Sequence, residues 1–219
     1  MKSPRPLISF DLDQTLVKST KAHSLSFAQA FGKEGIKINE KSIRKFIDGR
    51  HSTEVIISIR PKLEEERIKN IRKWHKLFLR KTIRFAKPIP GVLQTLKSLK
   101  KDFQIALVTN CSKQEVNLLM KAAKISQSTF DIIIRADEVK HPKPWPDEIF
   151  KAEKIAEVKS DIHVGDSVYD IIAAKRARAK SISVLTGQTS RKKLLRYHPD
   201  YILRSVVELP KLLKSISIN

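Results

Sequence analysis

The 219-residue sequence contains a single cysteine, Cys111, which excludes an internal disulfide and a zinc site built from cysteines. It also lacks long hydrophobic runs, since no window approaches the roughly 18 uninterrupted apolar residues that a membrane span requires. The first apolar stretch, residues 7–10, ends at Asp11, which argues against a secretory signal. We therefore expect a cytoplasmic protein with no membrane partner.

Acidic residues are scarce relative to basic ones, with 23 Asp and Glu against 44 Lys and Arg and a formal net charge of +21. Residues 17–87 hold 19 of the basic residues but only 7 of the acidic ones. Such an excess is typical of proteins that bind nucleic acid, anionic membranes or anionic substrates, and a solvated basic surface explains it equally well. The charge therefore leaves the kind of partner open.

Two glycine-rich phosphate-binding patterns are also absent. The chain has no G-x-G-x-x-G and no G-x-x-x-x-G-K-[ST], which argues against dinucleotide and P-loop chemistry. Apolar residues make up 41% and charged residues 31%, which is ordinary usage for a globular protein. The composition thus indicates a folded globular protein. The missing motifs indicate that its functional site is not a glycine-rich phosphate-binding loop.

Short apolar runs of strand length alternate with helical patterns over most of the chain. The predicted strands are residues 7–10, 103–108, 132–134, 162–164, 182–185 and 201–203. This alternation is typical of βαβ units, so we predict an α/β fold with a Rossmann-like parallel sheet covered by helices on both faces.

Residues 17–87, the helical segment, do not alternate. Apolar residues recur there at helical spacing, and we predict that Thr53 caps a third helix, which Pro61 ends. Ile71 and Leu77 are predicted to share the buried face of a fourth helix. We therefore predict an α/β core of residues 1–16 and 88–219, and a small all-α domain of residues 17–87 inserted after the first strand.

Polar side chains follow three of the predicted strands, at the sheet edge where parallel α/β folds place their sites. Asp170 lies one helical turn beyond Asp166 and can face the same way. The candidate residues are Asp11, Asp13, Thr109, Asn110, Asp166 and Asp170, with Lys143 in the loop after a fourth strand.

Carboxylates that meet at one edge repel each other and raise their own pKa values, and a divalent cation removes this conflict. A donor set of oxygens suits magnesium better than zinc. Lys143 and the Thr109 hydroxyl would then face a phosphoryl group. Each of these residues or short motifs alone is also explained by a turn or a helix cap. Only their occurrence together, in this order and each after a strand, is specific for such a site.

In this combination the sequence resembles the haloacid dehalogenase-like (HAD) hydrolases, and among them the phosphatases near phosphoglycolate phosphatase. Four stretches carry the resemblance: Phe-Asp-Leu-Asp-Gln-Thr-Leu-Val at 10–17, Val-Thr-Asn at 108–110, Lys143 within His-Pro-Lys-Pro, and Gly-Asp-Ser-Val-Tyr-Asp-Ile at 165–171. It covers nearly the whole chain. The resemblance implies that the helical segment is a cap domain that closes over the substrate.

The resemblance also implies a mechanism. Asp11 would be the nucleophile that forms an aspartyl phosphate, and Asp13 the general acid and then the general base. The dehalogenases of the superfamily lack the second aspartate, so Asp13 favours phosphate chemistry.

The remaining implied roles concern metal and phosphate. Mg²⁺ would be held by the Asp11 carboxylate, the Asp13 backbone carbonyl and the Asp166 carboxylate. Asp170 would support the metal directly or through water. The phosphoryl oxygens would be held by Thr109, Asn110 and Lys143.

Three positions depart from the family pattern. Gln14 and Arg178 replace common glycines, and Lys18 stands where near relatives often have an acid. Specificity is expected to come from the cap, where Arg50 and His51 lie in a loop between two helices. We hypothesise that Arg50, and His51 beside it, read the non-phosphate end of the substrate.

The expected function is a Mg²⁺-dependent phosphatase of a small phosphorylated anionic metabolite, with 2-phosphoglycolate as the first candidate. Inorganic pyrophosphate and a sugar phosphate are alternatives, and a phosphosugar mutase has less support. A nucleic-acid-binding protein on a HAD-like scaffold is the alternative without enzyme activity. No pattern sets the oligomeric state. The remaining polar candidates are expected to be surface or core residues without a role: Cys111, His23, His75, His163 and His198.

Overall fold

The computed structural model describes residues 5–216, so residues 1–4 and 217–219 of the predicted core lie outside the described residues. The strands are β1 (Leu7–Phe10), β2 (Val17–Lys18), β3 (Lys87–Pro88), β4 (Gln104–Thr109), β5 (Ile132–Arg135), β6 (Ser160–Gly165), β7 (Lys180–Val184) and β8 (Tyr201–Leu203). The α-helices are α1 (Thr20–Lys33), α2 (Glu40–Ile43), α3 (Ser52–Ile59), α4 (Glu65–Thr82), α5 (Val92–Leu99), α6 (Lys113–Ala122), α7 (Asp147–Ala156), α8 (Val168–Ala177), α9 (Arg191–Leu195) and α10 (Leu209–Leu213). No helix within residues 5–216 has both the length and the apolar character needed to cross a membrane.

Six strands form one parallel sheet in the order β5-β4-β1-β6-β7-β8. All four residues of β1 are buried, because a parallel sheet with helices on both faces leaves its central strands no contact with water. Apolar side chains of α5, α6 and α10 pack on one face, and those of α7 and α8 pack on the other. The α/β prediction is confirmed, and β1 lies in the middle of the sheet.

The chain leaves the sheet domain through β2 and returns through β3. These two strands pair antiparallel, with Val17 opposite Pro88 and Lys18 opposite Lys87. Between them, α1 packs along α4, and the helices enclose an apolar cluster of their own. The largest fully buried members of that cluster are Phe27, Phe31, Ile43, Ile56 and Ile71.

Two local predictions in the helical segment are wrong. The N-cap of α3 is His51 rather than Thr53, because the His51 Nδ1 accepts a hydrogen bond from the Thr53 amide at 3.4 Å. Leu77 is 46% exposed, and the buried row of α4 instead runs through Ile71, His75 and Leu79. These residues are four apart, so they stack on one helix face, and a pattern counted on apolar residues overlooked the histidine.

Candidate active site

The predicted site residues emerge side by side at the carboxyl edge of the sheet. Asp11 directly follows β1, Thr109 ends β4 and Asp166 directly follows β6, and these three strands are neighbours. Lys143 comes from the loop after β5, and Asp170 lies in the first turn of α8. All five side chains are buried. We use the name aspartate cluster for Asp11, Asp166, Asp170 and Lys143.

Lys143 lies between the acids of the aspartate cluster. Its Nζ donates hydrogen bonds to Asp11 Oδ1 at 2.8 Å, to Asp170 Oδ1 at 2.6 Å and to the Val108 carbonyl at 3.0 Å. Burial alone would lower the pKa of Lys143, but attraction to Asp11 and Asp170 outweighs burial and raises it. Lys143 is therefore a permanent cation held within the sheet edge.

Two carboxylate oxygens of the cluster, Asp11 Oδ2 and Asp166 Oδ2, are buried without a hydrogen-bond partner. Burial raises the pKa of Asp11 to about 7, against the attraction of Lys143 and with added repulsion from Asp170. Burial, and then the charges of Asp170 and Asp11, raise the pKa of Asp166 well above its usual range. Oxygen atoms of Asp11, Asp166 and Asp170 lie within 4.8 Å of one another. Unpaired buried oxygens at this spacing fit a hard divalent cation such as Mg²⁺.

Asp170 differs from the other two acids because both of its oxygens are occupied. Oδ1 faces Lys143 and also lies 3.1 Å from the His163 Nε2, while Oδ2 accepts hydrogen bonds from the Ser167 amide at 3.1 Å and its hydroxyl at 2.5 Å. Burial would raise the pKa of Asp170, but Lys143 and His163 lower it. Asp170 therefore orients Lys143, and His163 is a core residue with both ring nitrogens partnered, by Ser9 and Asp170.

Two glycines let the acids approach the backbone. A Cβ on Gly187 would lie 1.8 Å from Asp166 Oδ2, and a Cβ on Gly165 would lie 2.1 Å from the Asp170 Cγ. Any side chain at either position would displace a carboxylate of the aspartate cluster. The cluster thus depends on a glycine at the end of β6 and on a second glycine in the segment after β7.

Asp13 lies beside the aspartate cluster in a different environment. Its carboxylate accepts hydrogen bonds from the Ser19 hydroxyl and from the Cys111 Sγ, the latter at 2.9 Å, and it faces the His23 Nε2 at 3.4 Å. Burial would raise the pKa of Asp13, but His23, Cys111 and Ser19 lower it to about 2. Burial and the charge of Asp13 raise the pKa of Cys111, so its thiol stays protonated. Cys111 therefore contacts a candidate catalytic group, contrary to the expectation that it has no role.

Thr109 and the residue after it, Asn110, make different contacts. Thr109 lines the cavity above the cluster, and its Oγ1 accepts a hydrogen bond from the Cys111 amide at 3.3 Å. The Asn110 Nδ2 instead donates to the Gly49 carbonyl at 2.8 Å and to the Lys143 carbonyl at 3.0 Å. Asn110 therefore ties the helical segment to the sheet domain.

A cavity of about 40 Å³ lies between the strand ends and the helical segment, with room for only a few water molecules. Arg50 lines it, but its Nε lies 3.0 Å from Asp48 Oδ1 and its guanidinium donates to the Ser58 hydroxyl at 2.6 Å. His51 does not line the cavity, because its ring caps α3. The structure thus brings Arg50, and not His51, towards the predicted site.

Three cavity residues were overlooked by the sequence reasoning. His23, His75 and Glu115 line the wall next to Asp13, although both histidines were expected to be residues without a role. The one signal in the sequence was the Ser112–Glu115 spacing, which indicates a helix start and nothing more. His198 is exposed, as expected.

The departures from the family pattern have a backbone explanation at two positions. Gln14 and Arg178 adopt left-handed conformations, with φ of 58° and 60°. Glycine reaches this conformation without strain, which explains why it is common at both positions. Arg178 ends α8, and Gln14 lies next to the strand pair that joins the helical segment to the sheet.

Comparisons with known proteins agree with this geometry. A family model described as haloacid dehalogenase-like hydrolase matches residues 8–184. The chain is 30% identical to a phosphoglycolate phosphatase of Aquifex aeolicus over 211 residues, 94% of this chain and 96% of that protein. It is 33% identical to pyrophosphatase PpaX of Bacillus mycoides over 129 residues, 58% of this chain and 60% of that protein. A hydrolase from Pseudomonas syringae shares the fold with a TM-score of 0.86, covering 97% of this chain and all of that one at 22% identity. The chain therefore belongs to the haloacid dehalogenase-like hydrolases, and it is a phosphatase of that family.

Proposed function

We propose that this phosphatase depends on Mg²⁺ and hydrolyses a small phosphorylated metabolite through an aspartyl phosphate, with 2-phosphoglycolate as the first candidate. The observation that carries the proposal is the pair of unpartnered buried oxygens on Asp11 and Asp166 beside the Lys143 ammonium. A lone lysine balances only part of the acidic charge at this edge, so a divalent cation would balance the rest and allow an anionic phosphoryl group to bind.

The metal would be held by the Asp11 carboxylate, the Asp13 backbone carbonyl and the Asp166 carboxylate. When bound, Mg²⁺ supplies positive charge to the phosphoryl oxygens. Asp170 supports the site through Lys143, because both of its oxygens already have partners. Thr109 and Lys143 hold the phosphoryl group, and Asn110 assists by fixing the Lys143 loop.

The reaction then runs in two halves. An Asp11 oxygen forms a bond to phosphorus as the bond to the leaving oxygen breaks, and Asp13 gives that oxygen a proton. In the second half Asp13 takes a proton from water, whose oxygen attacks phosphorus and releases phosphate and the free Asp11 carboxylate. At its low pKa Asp13 is ionised and can accept a proton in the second half. For the first half Asp13 must first take up a proton, and His23, whose pKa is raised, faces its Oδ2 with Nε2 at 3.4 Å and is the group placed to supply it.

The Aquifex aeolicus relative named phosphoglycolate phosphatase matches nearly the full chain, which supports 2-phosphoglycolate. Pyrophosphate is the second candidate, because a relative named pyrophosphatase matches at 33% identity. We further propose that residues 17–87 act as a cap over this cavity, while residues 1–16 and 88–219 carry the chemistry.

The test is phosphate release from 2-phosphoglycolate, pyrophosphate and a set of sugar phosphates, with Mg²⁺ and with EDTA. Asp11→Asn is the test variant, and Asp102→Asn, at an exposed position away from the site, is the matched control. Turnover that needs Mg²⁺ and disappears only in Asp11→Asn supports the mechanism, and the ranking of compounds identifies the substrate class. Equal turnover with EDTA, or in Asp11→Asn, contradicts it.

A further inference from the structure

Four polar side chains, of which His23, His75 and Glu115 are buried and Asp13 is partly exposed, form a continuous row from the sheet domain into the helical segment and back. Asp13 Oδ2 lies 3.4 Å from His23 Nε2 on α1. His23 Nδ1 lies 3.2 Å from His75 Nε2 on α4. His75 Nδ1 lies 3.6 Å from Glu115 Oε1 in the first turn of α6. We call these four residues the histidine row.

Each histidine uses its two ring nitrogens on two different neighbours. His23 faces Asp13 with one nitrogen and His75 with the other, and the two rings lie at 22° with centroids 5.3 Å apart. One ligand atom of each of His23, His75 and Glu115 lies within 4.8 Å of the other two, a spacing that a metal site also has. The two ring nitrogens lie 3.2 Å apart, within hydrogen-bond distance, and Asp13 extends the contacts beyond this group, so we treat the four residues as a hydrogen-bonded row.

The row is held rigidly from its sides and its far end. The His75 ring stacks on Phe27 with centroids 3.8 Å apart and 15° between the planes. Glu115 Oε2 accepts hydrogen bonds from the Ser112 amide at 2.7 Å and from its hydroxyl at 2.5 Å, which leaves Oε1 for His75. His23, His75 and Glu115 are each at most 5% exposed. These three side chains are therefore largely shielded from bulk solvent.

His23 Nε2 and His75 Nδ1 make no conventional hydrogen bond within residues 5–216. The carboxylates that face them, at 3.4 and 3.6 Å, are within ion-pair distance. A buried polar atom without any partner is destabilising, so each ring nitrogen is held towards its carboxylate. The position of His23 is thereby determined by His75 and Glu115, which lie on the side away from Asp13.

We propose that His75 and Glu115 are positioning residues, which hold His23 against Asp13 and so orient the carboxylate that protonates the leaving group. Asp13 and Glu115 belong to the sheet domain, and the two histidines belong to the helical segment. The row is complete only while the two parts are docked, so docking of the helical segment and orientation of Asp13 occur together. This inference rests on the proposed function, because it assigns Asp13 to proton transfer.

The test compares two substrates of similar size, ethyl phosphate and 2,2,2-trifluoroethyl phosphate. The fluorinated alcohol is much the more acidic, so its release depends far less on a proton from Asp13. In His75→Phe, which retains an aromatic ring to stack on Phe27, we expect kcat/KM for ethyl phosphate to fall roughly 10-fold. For the trifluoroethyl ester we expect a fall of less than about threefold. Glu115→Gln should show the same selective loss and covers the case in which His75→Phe does not fold.

Two reference variants separate the possible failures. Thr82→Val, a buried and nearly isosteric change on α4 outside the row, should leave the ratio of the two esters unchanged. Asp13→Asn should show the largest selective loss. An equal fall on both esters in His75→Phe and Glu115→Gln, with a selective loss in Asp13→Asn, overturns the positioning role and leaves the proposed function intact. No selectivity in Asp13→Asn overturns the proton-transfer assignment and the inference with it.

Discussion

The histidine row lines the cavity and the aspartate cluster reaches it through Asp11, but the two groups balance their charges differently. The aspartate cluster sets three acids against one lysine and leaves two buried carboxylate oxygens without partners. The histidine row has a carboxylate at each end and two imidazoles between them, so each carboxylate faces a group that can carry positive charge. A surplus of buried negative charge indicates where a cation binds, whereas carboxylates that each face an imidazole indicate positioning.

The largest expected effect is the loss of folding stability when Lys143 of the aspartate cluster is replaced. Lys143→Met leaves three buried acids without a counter-charge, and loss of one partner of a buried ion pair destabilises by about 3–5 kcal/mol. We expect this loss in urea unfolding with EDTA present, and partial recovery with Mg²⁺. Lys154→Met, at an exposed position, is the matched control and should change stability little. A loss that Mg²⁺ does not reduce would contradict a metal site among these acids.

The next comparison removes one acid from each cluster. The pKa of Asp11 is about 7 in the folded protein against an ordinary 3.8, so from about pH 4 to 7 the folded state retains a proton that the unfolded state has lost. The Asp11 contribution to stability therefore falls as pH rises through this window. In EDTA at pH 8, Asp11→Asn should be more stable than the natural protein, and the gain should vanish near pH 4.

Glu115→Gln should behave in the opposite way. It leaves His75 Nδ1 without its carboxylate and places an amide N–H opposite the Ser112 donors, so we expect a loss of about 1–3 kcal/mol. Thermal unfolding with and without Mg²⁺ checks this, and the loss should be the same in both. If both variants shifted stability in the same direction at pH 8, the two clusters would not differ in charge balance.

A third comparison uses two glycines, one beside Asp166 and one where the helical segment meets the sheet domain. Gly187→Ala pushes a methyl group into Asp166 Oδ2, so Mg²⁺ affinity should fall roughly 10-fold or more. Gly49→Ala, where the Cβ would lie 2.4 Å from the Ser167 hydroxyl, disturbs the docking of the helical segment. It should raise KM and leave Mg²⁺ affinity unchanged. Calorimetric titration with Mg²⁺ and steady-state kinetics separate the two, and equal loss of Mg²⁺ affinity would contradict the assignment.

The smallest expected effect concerns Arg50. Asp48 already neutralises its guanidinium, so we expect Arg50→Ala to raise KM for 2-phosphoglycolate only by roughly threefold. Arg60→Ala, at an exposed position beyond α3, is the control. Steady-state kinetics measures both. An increase in KM of a hundredfold would mean that Arg50 leaves Asp48 to bind the substrate, and unchanged KM would remove it from recognition altogether.

The sequence was sufficient for the aspartate cluster because each member follows a strand. All strands of a parallel sheet end at one edge, which is why the acids were expected there, and the observed pairing of β1 with β6 brings Asp11 and Asp166 together. The same reasoning placed Asn110 at the site but not its role, since its amide is used on the Gly49 and Lys143 carbonyls. Arg50 and His51 show the limit of prediction from sequence. They are adjacent and were assigned the same role, but Arg50 lines the cavity and His51 caps a helix.

The sequence by itself determined the α/β class, the helical segment after the first strand, and the acids and lysine expected at the sheet edge, because hydrophobic periodicity and the position of a residue after a strand are local properties. Only the tertiary structure decided the histidine row. Its members are separated by up to 102 positions in the sequence. They meet because the helices α1, α4 and α6 pack together in one orientation, and no residue spacing in the sequence predicts that orientation. Side chains on a docked helix face are selected by packing between elements, and that packing exists only in the folded protein.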